Sequence, residues 1–308
     1  MMETSLPEHI REFSQVAQHR FEMLGGPQES SLPAERDGSM RELAAGALAE
    51  IGVAELDVRN DLEDRLAGAV VARAAGVALL PYPVVDDLMA IDGARLSPID
   101  PRVPRVDHGD LAGPWLLADL DGIAYTATLG PRHPAKLGPF LVKATDLSPV
   151  STVPRADLAL HLILQSWRIL GALERALEIT CEHVKARTQF GKTLSEFQFV
   201  RFTIADTSVT LRGLEELAKF SLSRWTIDTD VTGWTDALML KIKAAEAGIH
   251  VMRTSHQLLG ALGFCDESDI SVIDRHLQPA LRLPESVEAL ALRLTPEVGA
   301  GHVETLFS

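Results

Sequence analysis

Arg187-Thr188-Gln189-Phe190-Gly191-Lys192, followed by Gln198, places a guanidinium, a carboxamide and an aromatic ring where one long helical pattern ends and the next begins. A guanidinium presents its donors in a planar fork that matches phosphate oxygens, so this junction suits a flat, phosphate-bearing ligand. Later in the chain, Gln257-Leu258-Leu259-Gly260-Ala261-Leu262-Gly263-Phe264 offers a second carboxamide between helices, with glycines that let backbone approach a ligand closely. Without a ligand, Arg187 reads as a helix-terminal cation favoured by the macrodipole, and Gly260 and Gly263 read as positions of close helix packing.

Arg-x-x-Phe-Gly, then a helix glutamine, then Gln-x-x-Gly-x-x-Gly-Phe, resembles the carboxy-terminal half of the flavin-dependent acyl-CoA dehydrogenases. The resemblance is strong over residues 153–270, weaker to the end and faint over the first 150. It implies FAD as cofactor, with Arg187, Gln189, Phe190 and Gln198 at its adenine and pyrophosphate end, reached across a subunit interface. Gln257, Gly260 and Gly263 would form the second cofactor-facing turn. Ala261 stands where the family usually has another glycine.

In that family a glutamate removes the α-proton of an acyl thioester while the flavin takes hydride from the β-carbon. A carboxylate suits the task because burial raises its pKa toward the working pH. One family position lies about 26 residues before the motif arginine, which here is His161, a register supported by Gly171. The other is a turn after the fourth bundle helix, which reads Leu281-Arg282-Leu283-Pro284-Glu285-Ser286, with Arg282 or Leu283 at the base position. Neither position holds a glutamate. His161 and Glu285 are the substitute candidates. A lone histidine on an apolar helix is ordinarily a core residue, however, and Glu285 after Pro284 resembles a first-turn acid at a helix start. Residues 84–150 also lack the family's Thr-Glu-x-x-x-Gly-Ser stretch, which holds the flavin ring.

The resemblance therefore implies a short non-catalytic subunit of a heteromeric acyl-CoA dehydrogenase of the steroid side-chain type. It would pair in an α2β2 heterotetramer with a catalytic acyl-CoA dehydrogenase subunit, act on an acyl-CoA substrate, and pass electrons to an electron-transfer flavoprotein or similar acceptor. Two other readings remain open: a self-sufficient homodimeric flavoenzyme, and a non-enzymatic helical-bundle binding protein. A metal protein finds little support, since Glu246 and His250 make a single i, i+4 pair with no second copy.

The elements that must position these residues are mainly helical. Amphipathic patterns over 7–24 and 40–51, and a third helix from Leu62 through Gly76, give an amino-terminal helical domain over 1–91. Trp115 to Asp119 and Ile123 to Thr128 flank Leu120-Asp121-Gly122, a hairpin signal, and Phe140 to Ala144 reads as a third strand. These strands give a truncated β-domain over 92–152. From Ala156 the pattern predicts four long helices and a bundle over 153–308: the first from Ala156, then Glu196–Trp225, Trp234–Leu262 and Ile270–Leu292. Thr229-Asp230 and the stretch from Pro279 to Pro284 are the expected interruptions. The fold class is thus mainly α, and the resemblance implies that it is acyl-CoA dehydrogenase-like.

Composition narrows the function classes. A chain of 308 residues that is 46% hydrophobic buries one or two sizeable cores. A net charge of −14 repels a phosphate backbone, which argues against nucleic-acid partners. No apolar stretch is long enough for a membrane span, and the first ten residues lack a basic flank and apolar core, so a cytoplasmic protein is expected. Cys181 and Cys265, far apart and without a paired motif, point to neither a disulfide framework nor a zinc site.

Overall fold

The computed structural model describes residues 6–36, 38–132, 137–228 and 231–299. Helix α1 (Glu8–Glu22), the short α2 (Leu32–Arg36), α3 (Ser39–Glu50), α4 (Leu62–Val77) and the short α5 (Val84–Leu88) precede all the strands. Asp61 caps α4 by accepting from the Asp64 amide. This satisfies one of the amide groups that a helix start leaves without a partner.

A five-stranded sheet follows: β1 (Arg95–Pro98), β2 (Arg105–Val106), β3 (Trp115–Ala118), β4 (Ile123–Arg132) and β5 (Val142–Thr152), in the order β1-β3-β4-β5-β2. The expected hairpin is present, with Leu117 opposite Tyr125 and Ala118 opposite Ala124. Its turn is built on Asp119, which accepts from the Asp121 and Ile123 amides, with Gly122 at φ 90°. The third expected strand is displaced: it begins at Val142 and runs to Thr152, while Phe140 is a buried residue outside it. Helix α5 and strands β1 and β2 were not expected, being short and lacking a clear alternation of apolar and polar residues.

The bundle contains α6 (Arg155–Ala186), α7 (Gln198–Arg224), α8 (Val231–Leu259), α9 (Asp269–Arg282) and α10 (Val287–Gly299). The third expected helix ends at Leu259, and Gly260–Phe264 tightens into a 3-10 turn. Within the fourth expected stretch, Pro279 sits inside α9 and the break comes at Leu283–Ser286, leaving two helices instead of one. The interruption expected at Thr229-Asp230 lies outside the described residues.

Helix α6 is apolar nearly all round, and Leu160, Leu164, Trp167 and Leu170 are buried on several of its faces. A helix of that pattern belongs inside a protein. It crosses α4 in backbone contact: a Cβ on Gly171 would strike the Arg73 carbonyl, and one on Gly76 would strike the Arg168 carbonyl. One core consequently joins α3 and α4 to the bundle, and it brings α5, the sheet and α9 around the middle of α6.

Candidate functional site

At the carboxy-terminal end of α6, Arg187 leaves the helix in an extended conformation and starts a small hairpin of β6 (Thr188–Gln189) and β7 (Lys192–Thr193). Phe190 (φ 53°) and Gly191 (φ 80°) form its two-residue loop. Positive φ at both central positions is the turn that matches strand twist, but Asn-Gly is the usual occupant, and a phenylalanine in the left-handed region costs about 1–2 kcal/mol. The ring gains nothing in return within this chain, since Phe190 is 93% exposed. Strain of this kind at an exposed residue points to a task outside the chain.

Around the hairpin, Leu194 N donates to the Arg187 carbonyl (2.8 Å), Thr193 N donates to Glu196 Oε1 (2.8 Å), and Lys192 Nζ lies 4.2 Å from the Phe197 ring centroid. The side chains of Arg187, Gln189 and Gln198 are exposed and make no hydrogen bond among the described residues. Burial, together with the neighbouring Arg187 charge, holds His183 below the ordinary histidine range. Lys185, Arg187, Lys192 and Arg201 make this end basic within an acidic chain.

The second predicted turn adjoins the first. Leu258 shares a small core with Val184 and Val200, against which Leu194 and Phe197 pack. Gly260 (φ 60°) has open space where a Cβ would sit, so its conformation is what requires glycine. Gly263 is buried, and a Cβ there would come within 3.2 Å of His256 Cα. Gln257 and Gly260 line an open groove of about 900 Å³ together with Arg253, His256 and Phe264. Arg187, Phe190 and Gln198 do not line that groove and stand on the surface beside it. His256 stacks on Phe264 (4.9 Å) and bonds Asp274 (3.1 Å), which stiffens the groove wall. Phe190, Phe199 (71% exposed) and Phe264 (72% exposed) leave large apolar surfaces uncovered on this end of the bundle.

The two positions where the resemblance places a base come together elsewhere. His161, Leu283 and Pro284 line one cavity of about 40 Å³, with Asp86, Asp107, His108 and Arg168 among its walls. Ligand pockets are ordinarily several hundred Å³. This one has room for a water or two. His161 is buried, with Nε2 3.3 Å from Asp86 Oδ1 and with Nδ1 left without a partner. Glu285 does not line the cavity: Arg293 grips it through two bonds (2.7 and 2.8 Å) while also bonding Asp121.

The polar wall of the cavity is hidden from sequence patterning because Asp86, Asp107 and Arg168 lie far apart along the chain. Part of the signal is local: His161, Gln165 and Arg168 fall at i, i+4 and i+7, a polar stripe on an otherwise apolar helix. Behind the same turn, Lys241 is wholly buried and donates to the Ala280 carbonyl. The backbone donor four residues on would be Pro284, which has no N–H. Burial alone pushes Lys241 down to about 7. Among the described residues no group of three acidic, histidine or cysteine side chains is arranged to hold a metal ion, and no helix is long and apolar enough to cross a membrane.

Known proteins resemble this chain in sequence and in fold. Residues 153–282 match the family described as acyl-CoA dehydrogenase, C-terminal domain. The chain is 24% identical over 277 residues to acyl-CoA dehydrogenase IpdE2 of Mycobacterium tuberculosis, covering 81% of this chain and 84% of that protein. It is also 29% identical over 111 residues to the short-chain-specific acyl-CoA dehydrogenase of Megasphaera elsdenii, covering 36% and 28%. Among solved structures, the steroid ACAD Tcur3481-Tcur3483 superposes with a TM-score of 0.77 at 18% identity, over 96% of this chain and 99% of that one. The ChsE4-ChsE5 complex from Mycobacterium tuberculosis does so with a TM-score of 0.77 at 15% identity, over 97% and 99%.

Proposed function

We propose, from the premise that residues 153–282 are an acyl-CoA dehydrogenase carboxy-terminal domain, that this chain is the non-catalytic subunit of a heteromeric FAD-dependent acyl-CoA dehydrogenase. The observation that carries the reading is Phe190, held exposed and strained beside Arg187 and Gln198, whose side chains have no hydrogen-bond partner among the described residues, while the cavity at the family's base positions is too small for an acyl chain. Acyl-CoA dehydrogenases are FAD flavoproteins, and two of the similar folds are the steroid ACAD Tcur3481-Tcur3483 and the ChsE4-ChsE5 complex.

In this reading Arg187 takes the pyrophosphate charge, Gln189, Phe190 and Gln198 orient the adenine end, and the turn containing Gln257, Gly260 and Gly263 supplies backbone and carboxamide contacts. FAD, when bound, supplies a hydride acceptor for the β-carbon of the thioester. The partner subunit would contribute the flavin-ring site and the catalytic glutamate in an α2β2 assembly, with an electron-transfer flavoprotein or similar acceptor reoxidising the complex. Residues 1–91, 92–152 and 153–308 act as the helical, β and bundle domains of this subunit. A steroid side-chain thioester is the substrate class that the similarity to steroid ACADs favours.

Expression of this chain alone should give a colourless, inactive protein, whereas co-expression with its catalytic subunit should give a yellow complex with one FAD per pair. Stoichiometric flavin absorbance from the isolated, folded chain would overturn the proposal.

A further inference from the structure

The cavity beside His161 holds a buried cation that has no hydrogen-bond partner among the described residues. Arg168 is 7% exposed, lines the cavity, and makes no side-chain hydrogen bond or ion pair among the described residues; its Nε is buried without a partner. A buried guanidinium without hydrogen bonds is strongly disfavoured, so something must occupy the space in front of it. His161, whose Nδ1 is also buried and has no partner among the described residues, lines the same cavity.

The neighbouring charges largely cancel one another. Asp86 of α5 is taken by His161 of α6 (3.3 Å). Arg41 of α3 and Arg132 of β4 share Asp110 (2.7 and 2.9 Å), which leaves that side of the cluster cationic. His108 is stacked on Phe140 (4.5 Å), and burial followed by the Arg41 charge keeps it neutral. His276 of α9 bonds Glu35 (2.7 Å), which Arg275 also approaches. The remaining counter-charge for Arg168 is Asp107, which faces Arg168, Asp86, His108 and Arg41. Burial pushes Asp107 up to about 7, with the Asp86 charge adding to the rise and Arg168 opposing it.

We propose that this cavity is a binding site for a small monovalent anion, of chloride or formate size, held by Arg168 beneath His161. Two states neutralise the guanidinium: an anion in the cavity with Asp107 protonated, or an empty or water-filled cavity with Asp107 ionised. Above pH 7 anion binding therefore takes up a proton on Asp107; below pH 7 the proton is already held, so the anion binds best there. As pH rises through about 7, Asp107 ionises, compensates Arg168 and repels the anion, and the affinity should fall roughly tenfold per pH unit. The volume of about 40 Å³ excludes anything larger.

The site does not depend on the flavin reading, and its test uses the full-length chain. Thermal midpoints are compared in sodium chloride and in sodium gluconate of equal ionic strength, gluconate being too large to enter, and crystals are soaked in bromide. At pH 6 the midpoint should be higher in chloride, with an anomalous bromide peak in contact with Arg168, and both signals should fade by pH 8. Asp107→Asn should keep the chloride effect and lose its pH dependence, while Arg168→Met should lose the effect altogether. Should Arg168→Met fail to fold, the parent's pH dependence and the bromide peak still decide. Equal midpoints in the two salts at pH 6, or no bromide peak there, would mean that only water fills the cavity and would overturn the proposal.

Discussion

Replacing Phe190 by asparagine separates the local cost of that residue from its use. Phe190 sits at φ 53° and is 93% exposed, so in the isolated chain the substitution removes almost no packing. Phe190→Asn converts the loop to an Asn-Gly pair, the sequence preferred in this turn, and relieves about 1 kcal/mol of left-handed strain without the unfolded-state entropy that glycine would add. The isolated variant should therefore be more stable by about 1 kcal/mol in urea unfolding followed by circular dichroism. In the assembled enzyme the ring is expected to be covered by cofactor and partner, where burying a phenylalanine side chain contributes about 1.5–3 kcal/mol. The strain is relieved equally in the free and the assembled chain, so the loss in retention is the burial alone, about 1.5–3 kcal/mol, or roughly 10- to 150-fold weaker FAD retention by the complex. Retention is read by flavin fluorescence released on dilution. A variant that is less stable alone, or a complex that holds FAD as tightly as the parent, would refute the reasoning.

Arg187→Ala should lower FAD retention in the complex by about 1.5–3 kcal/mol while leaving assembly intact, and Gln198→Ala should lower it less; full flavin occupancy after extensive dialysis would show that the motif is not used. His161→Ala and Glu285→Gln should each leave turnover of the complex within about tenfold, against the roughly 10²–10⁴-fold loss that follows removal of a general base; a larger drop with unchanged FAD content would place the chemistry on this chain. Lys241→Met should be more stable than the parent at neutral pH and less stable near pH 10. Burial lowers Lys241 in the folded chain to about 7 from its ordinary 10.5, so its penalty is complete below about 7 and disappears as pH rises toward 10.5, leaving the parent only the benefit of the Ala280 hydrogen bond. A stability difference independent of pH between about 6 and 10 would contradict that assignment.

The long helices are legible in the sequence because apolar periodicity is a local property. The α6 pattern, the Asp121-Gly122 hairpin and the helix from Leu62 all survive translation into structure within a few residues. Boundaries shift where tertiary contacts decide. Phe140 reads as strand by propensity, yet it is drawn out of β5 to stack with His108 and pack edge-on to His276. The fourth bundle stretch divides at Leu283 because Pro284 cannot donate to the Ala280 carbonyl, and Lys241, 39 residues before Ala280, takes its place. No window of sequence contains both partners of that contact.

The same distinction explains the two candidate sites. The proposed cofactor end is encoded by contiguous motifs, because a hairpin loop and a helix terminus can present Arg187, Gln189, Phe190 and Gln198 from a single segment. The Arg168 cavity is assembled from α5, the loop after β2, α6 and α9, and only its His161-Gln165-Arg168 stripe shares an element. Its chemistry follows from what each carboxylate is already doing, since Asp86 bonds His161, Asp110 is shared by Arg41 and Arg132, and Asp107 is the main remaining counter-charge to Arg168. Those engagements exist only once distant segments meet. They also set the two ends of α6 apart: at its carboxy terminus Arg187 is exposed, has no hydrogen-bond partner among the described residues, and on the proposed reading meets a phosphate from outside the chain, whereas at its middle Arg168 is buried and is answered from within or by an ion small enough to enter.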